Sequence, residues 1–183
     1  MLEAVSRPLI QRRYQEVFGA APAPGFSTYM TAGKDRRCSA ALGYRRADTA
    51  PLFLERYLDT SIETRVSAAL GRDVARGQIV EIGNLAAENA MAMIALWGAA
   101  ANDLGGSSEI AVATLTTPLR GMFVRIGVPI MELALALPER LGEDTAEWGA
   151  YYSRDPRVCM GVITQGQQAL ATFLGRRSLR KVA

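Results

Sequence analysis

GQIVEIGN, residues 77–84, places a single carboxylate, Glu81, inside an apolar, β-branched run. Ile79, Val80 and Ile82 suit a pleated, half-buried surface, so the spacing predicts a buried strand over 79–85. Burying a carboxylate is costly unless it is paired or hydrogen-bonded. Two readings of Glu81 therefore stand side by side. It is either a strand Glu whose head reaches solvent or a neighbouring Arg, or a group kept there for its chemistry. Downstream, residues 85–89 lead into an Ala- and Met-rich helix over 90–103. Gly105, Gly106 and two serines then break the chain before a second buried-type strand, 109–115. A strand–helix–strand unit of this kind favours parallel pairing.

Working outward from that unit, Ser6 and Pro8 read as the cap and first turn of a helix. Its apolar face carries Leu9, Ile10, Tyr14, Val17 and Phe18. Arg13 falls between Ile10 and Val17 on the wheel, pointing to a site or snorkelling from the surface. A connector with Pro22 and Pro24 leads to strands over 26–31 and 38–44, joined by a hairpin turn at Gly33, Lys34 and Asp35. A short apolar element, 51–58, precedes a helix whose Thr60 and Glu63 have capping-box spacing and which Gly71 ends. Beyond the second strand of the central unit, Thr116 or Thr117 and Pro118 open another helix, which Gly127 closes. An extended run over 129–136, a polar loop or brief helix over 138–147 and a strand over 158–164 follow. A helix over 165–174 stops at Gly175, leaving a basic tail over 176–183. The alternation implies an α/β (α+β) domain over 1–175, a mixed central sheet flanked by helices.

Composition narrows the chemistry. The chain has no histidine, which removes Ser-His-Asp triads, Cys-His pairs and histidine-ligated metal, so no metal is expected. Acid–base work near neutral pH falls to Glu, Asp, Tyr, Cys or water. Cys38 and Cys159 are too few and too far apart for a metal motif and read as reduced, apolar positions. The formal charge of +3 and pI near 9.1 favour anionic ligands slightly without pointing to nucleic acid. No uninterrupted apolar h-region opens the chain, and the run at 90–101 is shorter than the roughly 20 residues a bilayer span needs, so a cytoplasmic protein without a transmembrane segment is expected.

The segments ALGYRRAD (41–48), PLFLERYLD (51–59), IVEIGNLA (79–86), ATLTTPLRGMFVRIGV (113–128) and EWGAYYSRDPRVCMGVI (147–163) together resemble the thermostable hemolysin family. That resemblance implies a GNAT-like fold near the acyl-homoserine-lactone synthases. RRYQEVFG (12–19) and the Glu of the central strand are more distantly similar to those synthases. In such a fold two parallel strands splay at one end and admit the pantetheine arm of a thioester, here 79–85 and 109–115. By residue match Glu81 would be the base that frees an ammonium acceptor. Two departures shape the expectation. Residues 84–89, NLAAEN, lack the glycines and positive charge of a phosphate loop, which brings forward an acyl-carrier-protein donor, or no thioester donor, over acyl-CoA. Asn84 stands where the synthases place an Arg, so homoserine-lactone chemistry is not carried over.

The leading expectation is an N-acyltransferase acting on a small amine or amino-acid-derived acceptor. Glu81, Tyr151 and Tyr152 are the catalytic candidates, the tyrosines at the leaving group or as lining of an acyl pocket. Asn84, Arg120, Trp148 and Arg13 are the substrate-binding candidates, with Arg120 suited to a phosphate or carboxylate. Each has a plainer alternative: helix-surface arginines, aromatic rings packed across the sheet, an Asn satisfying a bulge. S-adenosylmethionine-dependent synthesis on the same scaffold, or a lytic effector as the family name suggests, are the alternative functions. The basic tail could dock an acidic carrier protein or anionic lipid or, the better reading, simply solubilise the terminus, and an oligomer is compatible with the sequence.

Overall fold

The computed structural model describes residues 2–21, 25–34 and 37–182, with the side chains of 2–5, 34 and 177–182 excepted. Pro22, Pro24 and Asp35, part of the expected connector and hairpin turn, lie outside the described residues, as do the side chains of Arg177, Arg180 and Lys181.

Six strands form one mixed sheet: β1 (Thr28–Lys34), β2 (Arg37–Arg46), β3 (Ile79–Ala87), β4 (Ile110–Leu115), β5 (Met131–Leu135) and β6 (Arg157–Val162). Their order is β1-β2-β3-β4-β6-β5. β1 and β2 are the expected antiparallel hairpin, and β3 and β4 the expected parallel pair. The other neighbours run antiparallel. The architecture is the GNAT-like mixed α/β sheet flanked by helices that the resemblance implied.

One face of the sheet carries α1 (Leu2–Phe18), α2 (Ile62–Leu70) and the 3₁₀ turns Phe53–Tyr57, Pro138–Trp148 and Tyr151–Arg154. The other carries α3 (Ala90–Leu104), α4 (Thr117–Ile126) and α5 (Ile163–Val182). β3 divides itself between the two by alternation, until one residue interrupts the period. Val80, Ile82, Leu85 and Ala87 pack with α3 and α5, whereas Ile79 and Ala86 pack on the opposite side. The skip from 82 to 85 is a bulge. Asn84 sits there with φ of +50°, and the β2 register shifts between Ala41 and Gly43.

Three expectations need correction. α1 begins at Leu2, so Ser6 lies inside the helix and fully buried rather than capping it. The Thr60–Glu63 capping box does not form; Ser61 is the N-cap, Glu55 Oε1 accepts from the Ile62 N–H at 3.1 Å, and Glu63 turns to Arg76. Residues 138–148 need none: of the two readings, loop or brief helix, they take the second, as 3₁₀ turns broken at Gly142. α5 continues through Gly175 to Val182, so the backbone of the expected tail is helical. A helical Gly costs only about 1 kcal/mol, less than the packing that Leu170, Phe173 and Leu174 gain in the apolar cluster they share with α3 and α4. Among the described residues no helix is long and apolar enough to cross a membrane.

Candidate active site

β3 and β4 pair from Ile79↔Ile110 to Ile82↔Ala113 and then part. Past that point β3 stays with β2 (Gly43↔Gly83, Ala41↔Ala86), while β4 stays with β6 (Thr114↔Val158, Leu115↔Arg157). The bulge at Asn84 turns β3 away, and a gap opens between two strands that are otherwise neighbours. Backbone groups along such a gap are free to meet a ligand.

Glu81 lies one residue before the parting and is 3% exposed. Its two oxygens accept from the first N–H groups of the 3₁₀ turn Phe53–Tyr57: Oε2 from Phe53 N at 2.8 Å, Oε1 from Leu54 N at 2.9 Å. Burial raises the Glu81 pKa, and these two bonds and the charge of Arg45 oppose the rise without cancelling it. Arg45 stands directly across the sheet from Glu81, yet its guanidinium donates to Pro51 O (2.6 Å) and Gly25 O and stacks 5.4 Å from the Phe26 ring centroid. No ion pair neutralises Glu81 among the described residues.

The turn that holds Glu81 is itself held by a second carboxylate. Glu55 Oε2 accepts from Leu52 N (2.9 Å), and both oxygens meet Arg76, at 2.6 and 2.7 Å. Arg76 also reaches Glu63 (2.7 Å) and Ala47 O (2.7 Å). The bidentate guanidinium, the largest influence, lowers the Glu55 pKa to about 2. Arg76, in its own 3₁₀ turn (Arg76–Gln78), thus fixes the geometry of Glu81 through Glu55.

Three cavities meet around the gap. The inner one, about 70 Å³, lies on the α1 face; Glu81, Asn84, Trp148 and Tyr151 are in its wall, with Tyr14, Phe18 and Phe26 from outside the candidate set. A wider mouth of about 250 Å³ shares Tyr14, Phe18 and Leu119 with it and carries Arg13 and Arg154. The third, about 100 Å³, is on the α3–α5 face between Trp97, Phe123, Ala113 and Met160. Ile82 and Leu85 line both the inner and the third cavity, which places these back to back across the gap.

The candidates are thereby sorted. Tyr151 is buried and donates to Thr114 O at 3.3 Å; burial holds its hydroxyl far above the ordinary range, so it stays protonated. Tyr152 is not in the inner wall: its hydroxyl shares a hydrogen bond with Tyr57 at 2.6 Å, behind Trp148. Arg120 lines none of the three cavities. It donates to Leu115 O (2.7 Å), Asp155 O (2.6 Å) and Asp155 Oδ2 (2.8 Å) and pairs with Glu132 at 3.2 Å, tying α4 to the loop before β6. Arg13 borders the mouth, paired with Glu16 at 2.6 Å. Arg154 carries no ion pair among the described residues. Asn84 is 7% exposed, and its Nδ2 has no hydrogen-bond partner among the described residues. A buried donor without an acceptor is costly.

Sequence reasoning read Tyr14 and Phe18 only as the apolar face of α1 and did not bring Phe26 into the site. The signal for Phe26 was the pair Gly43 and Gly83, which face each other across β2 and β3. A Cβ on Gly83 would fall 2.5 Å from Phe26 Cζ, and one on Gly43 2.7 Å from Phe26 Cβ. Only glycines leave room for that ring.

The thermostable hemolysin family model matches residues 3–167. Among solved structures, TofI in a ternary complex with an inhibitor and MTA superposes with a TM-score of 0.61 at 14% identity, over 93% of this chain and 91% of that one. FeeM, an N-acyl amino acid synthase from uncultured soil microbes, gives 0.59 at 11% identity over 92% and 94%. BjaI, a CoA-dependent acyl-homoserine lactone synthase solved with SAM and isopentyl-CoA, gives 0.58 at 14% over 94% and 83%. These likenesses establish a shared fold. Curated protein sequences give no match.

Proposed function

This chain belongs to the thermostable hemolysin family, and we propose that it is an N-acyltransferase joining an acyl group from a thioester donor to a small amine. One observation carries the reading: a buried carboxylate, Glu81, with raised proton affinity and no ion-pair partner among the described residues, lines a cavity at the parting of β3 and β4. Such a group suits general-base work near neutral pH.

In this reaction Glu81 takes one proton from the acceptor ammonium. The freed nitrogen attacks the thioester carbonyl carbon, a C–N bond forms, and the oxyanion collapses with cleavage of the C–S bond. The second nitrogen proton reaches the departing thiolate through Tyr151, whose hydroxyl is neutral and lies at the β4 side of the gap. The third cavity, apolar and across the gap, suits the acyl tail. The mouth, with Arg13 and Arg154, suits the anionic carrier end. The N-terminus of α3 does not: Asn89 Oδ1 already caps it at Ala92 N (2.9 Å), and Glu88 beside it adds a negative charge, held by Arg37 at 2.9 Å. That supports a donor gripped at the mouth, whether acyl carrier protein or acyl-CoA, both met in a cytoplasmic setting.

A second reading, S-adenosylmethionine as the amine-bearing substrate, is favoured by BjaI's having been solved with that compound and an acyl-CoA. Native mass spectrometry with acyl-CoA, acyl-carrier-protein thioesters and S-adenosylmethionine offered in parallel tests both. Retention of a thioester, and its consumption with an amine by the native protein but not by Glu81→Gln, is the expected result. Normal turnover by Glu81→Gln would remove Glu81 from the mechanism, and retention of no thioester would overturn the acyltransferase reading.

A further inference from the structure

The inner cavity carries its own statement about the acceptor. Among its described lining residues Glu81 is the one carboxylate, and no Lys or Arg is present. The guanidinium nearest in register, Arg45, is spent on the Pro51 and Gly25 carbonyls and the face of Phe26. Arg120 is spent on Leu115 and Asp155. Arg13, itself paired with Glu16, and Arg154 stand in the mouth.

Around Glu81 the wall is aromatic and continuous. Tyr14 meets Phe18 at 5.5 Å between ring centroids and Trp148 at 6.3 Å; Tyr151 meets Phe18 at 5.2 Å and Trp148 at 5.1 Å. These four rings and one carboxylate form a box without a positive charge. Ring faces attract cations, Trp most strongly, and the carboxylate adds a full opposite charge at low dielectric. The same box repels an anion. A carboxylate on the carbon bearing the nitrogen would be held close to Glu81 with only neutral groups to offset it, among them the hydroxyl-bearing Tyr14, Thr116 and Tyr151 and the Asn84 amide, whose Nδ2 has no partner among the described residues. That donor is better matched to the single oxygen of a thioester carbonyl.

We propose that the inner cavity binds an alkylammonium whose nitrogen-bearing carbon carries no carboxylate: a plain cationic amine, not an α-amino acid. Naming this ligand the acceptor rests on the acyltransferase reading; the binding preference itself does not. It also separates this chain's acceptor from S-adenosylmethionine, whose amine sits beside a carboxylate.

The test is calorimetric titration of the purified protein at pH 7, alone and with coenzyme A present, using three ligands of matched skeleton: n-butylammonium, 1-butanol and norvaline, which is butylammonium with a carboxylate on the first carbon. Butylammonium is expected to bind at least tenfold more tightly than either of the others. Glu81→Gln and Trp148→Leu should each weaken it tenfold or more, with thermal melts confirming that they fold; Phe18→Leu serves if Trp148→Leu does not. Norvaline binding as well as butylammonium, butanol binding equally well, or no heat from any of the three would overturn the proposal. Since no thioester is consumed, selective amine binding without acyl transfer would sink the acyltransferase reading alone. Acyl transfer to norvaline in preference to butylamine would sink this one alone.

Discussion

Replacing Glu55 with Gln removes a charge that never touches the cavity, and the structure sets the size of the effect. Glu55 is held at a pKa of about 2 against an ordinary 4.5, chiefly by the two-pronged bond from Arg76. At 1.36 kcal/mol per decade this sets a ceiling of about 3 kcal/mol on the stability that the ionised form contributes. The two side chains remain 19% and 30% exposed, so solvent screening brings the expected loss nearer 2 kcal/mol. The sign follows from a lowered folded-state pKa. The contribution is complete above about pH 4.5 and fades as pH falls toward 2. Urea unfolding of the native protein and Glu55→Gln, compared from pH 7 to pH 2.5, should therefore show a gap of about 2 kcal/mol at neutrality that closes on acidification. Titration of the other carboxylates is common to both proteins and drops out of the difference. A gap of constant size across that range would refute the argument, because it would assign the loss to packing or neutral hydrogen bonds. The same variant loosens the turn whose Phe53 and Leu54 amides hold Glu81, so acyl transfer should fall even where the protein is fully folded.

Other outcomes are expected. Glu81→Gln should lower the acyl-transfer rate by about 10²–10⁴-fold while the protein stays folded. In the native protein the rate should climb with pH through a midpoint above the ordinary carboxyl range, since Glu81 must lose its proton and its pKa is raised; an unchanged pH profile in the variant would contradict this. Ala113→Phe projects into the apolar cavity beside Phe123 and should cut kcat/KM for long-chain thioesters more than tenfold while sparing acetyl transfer; an equal loss at every chain length would place the tail elsewhere. Gly83→Ala brings a methyl 2.5 Å from Phe26 Cζ, an overpacking worth about 1–3 kcal/mol, and should lower Tm by several degrees; an unchanged Tm would mean that the ring does not sit on the glycines.

The strand–helix–strand unit was legible because its apolar periods are unambiguous: β3, α3 and β4 appear within about two residues of where the spacing puts them, with the parallel pairing that a helical crossover requires. Gly71 and Gly127 were legible as helix ends because both adopt the left-handed conformation that few other residues tolerate. Glu81 stood out because a carboxylate inside an apolar strand needs a partner. What that partner is could not be read, since it is backbone: two amides of a turn 27 and 28 residues earlier. Arg120 and Tyr152 looked like site residues by type and position, yet contacts made by folding direct one to Asp155 and the other to Tyr57. Local propensity sets which segments are strands and helices, and the apolar period sets which face of each is buried. Which side chains converge on one cavity depends on where the bulge at Asn84 parts two strands and on which rings the opposed glycines admit. Those are contacts between residues far apart in the chain, and they exist only once the sheet has formed.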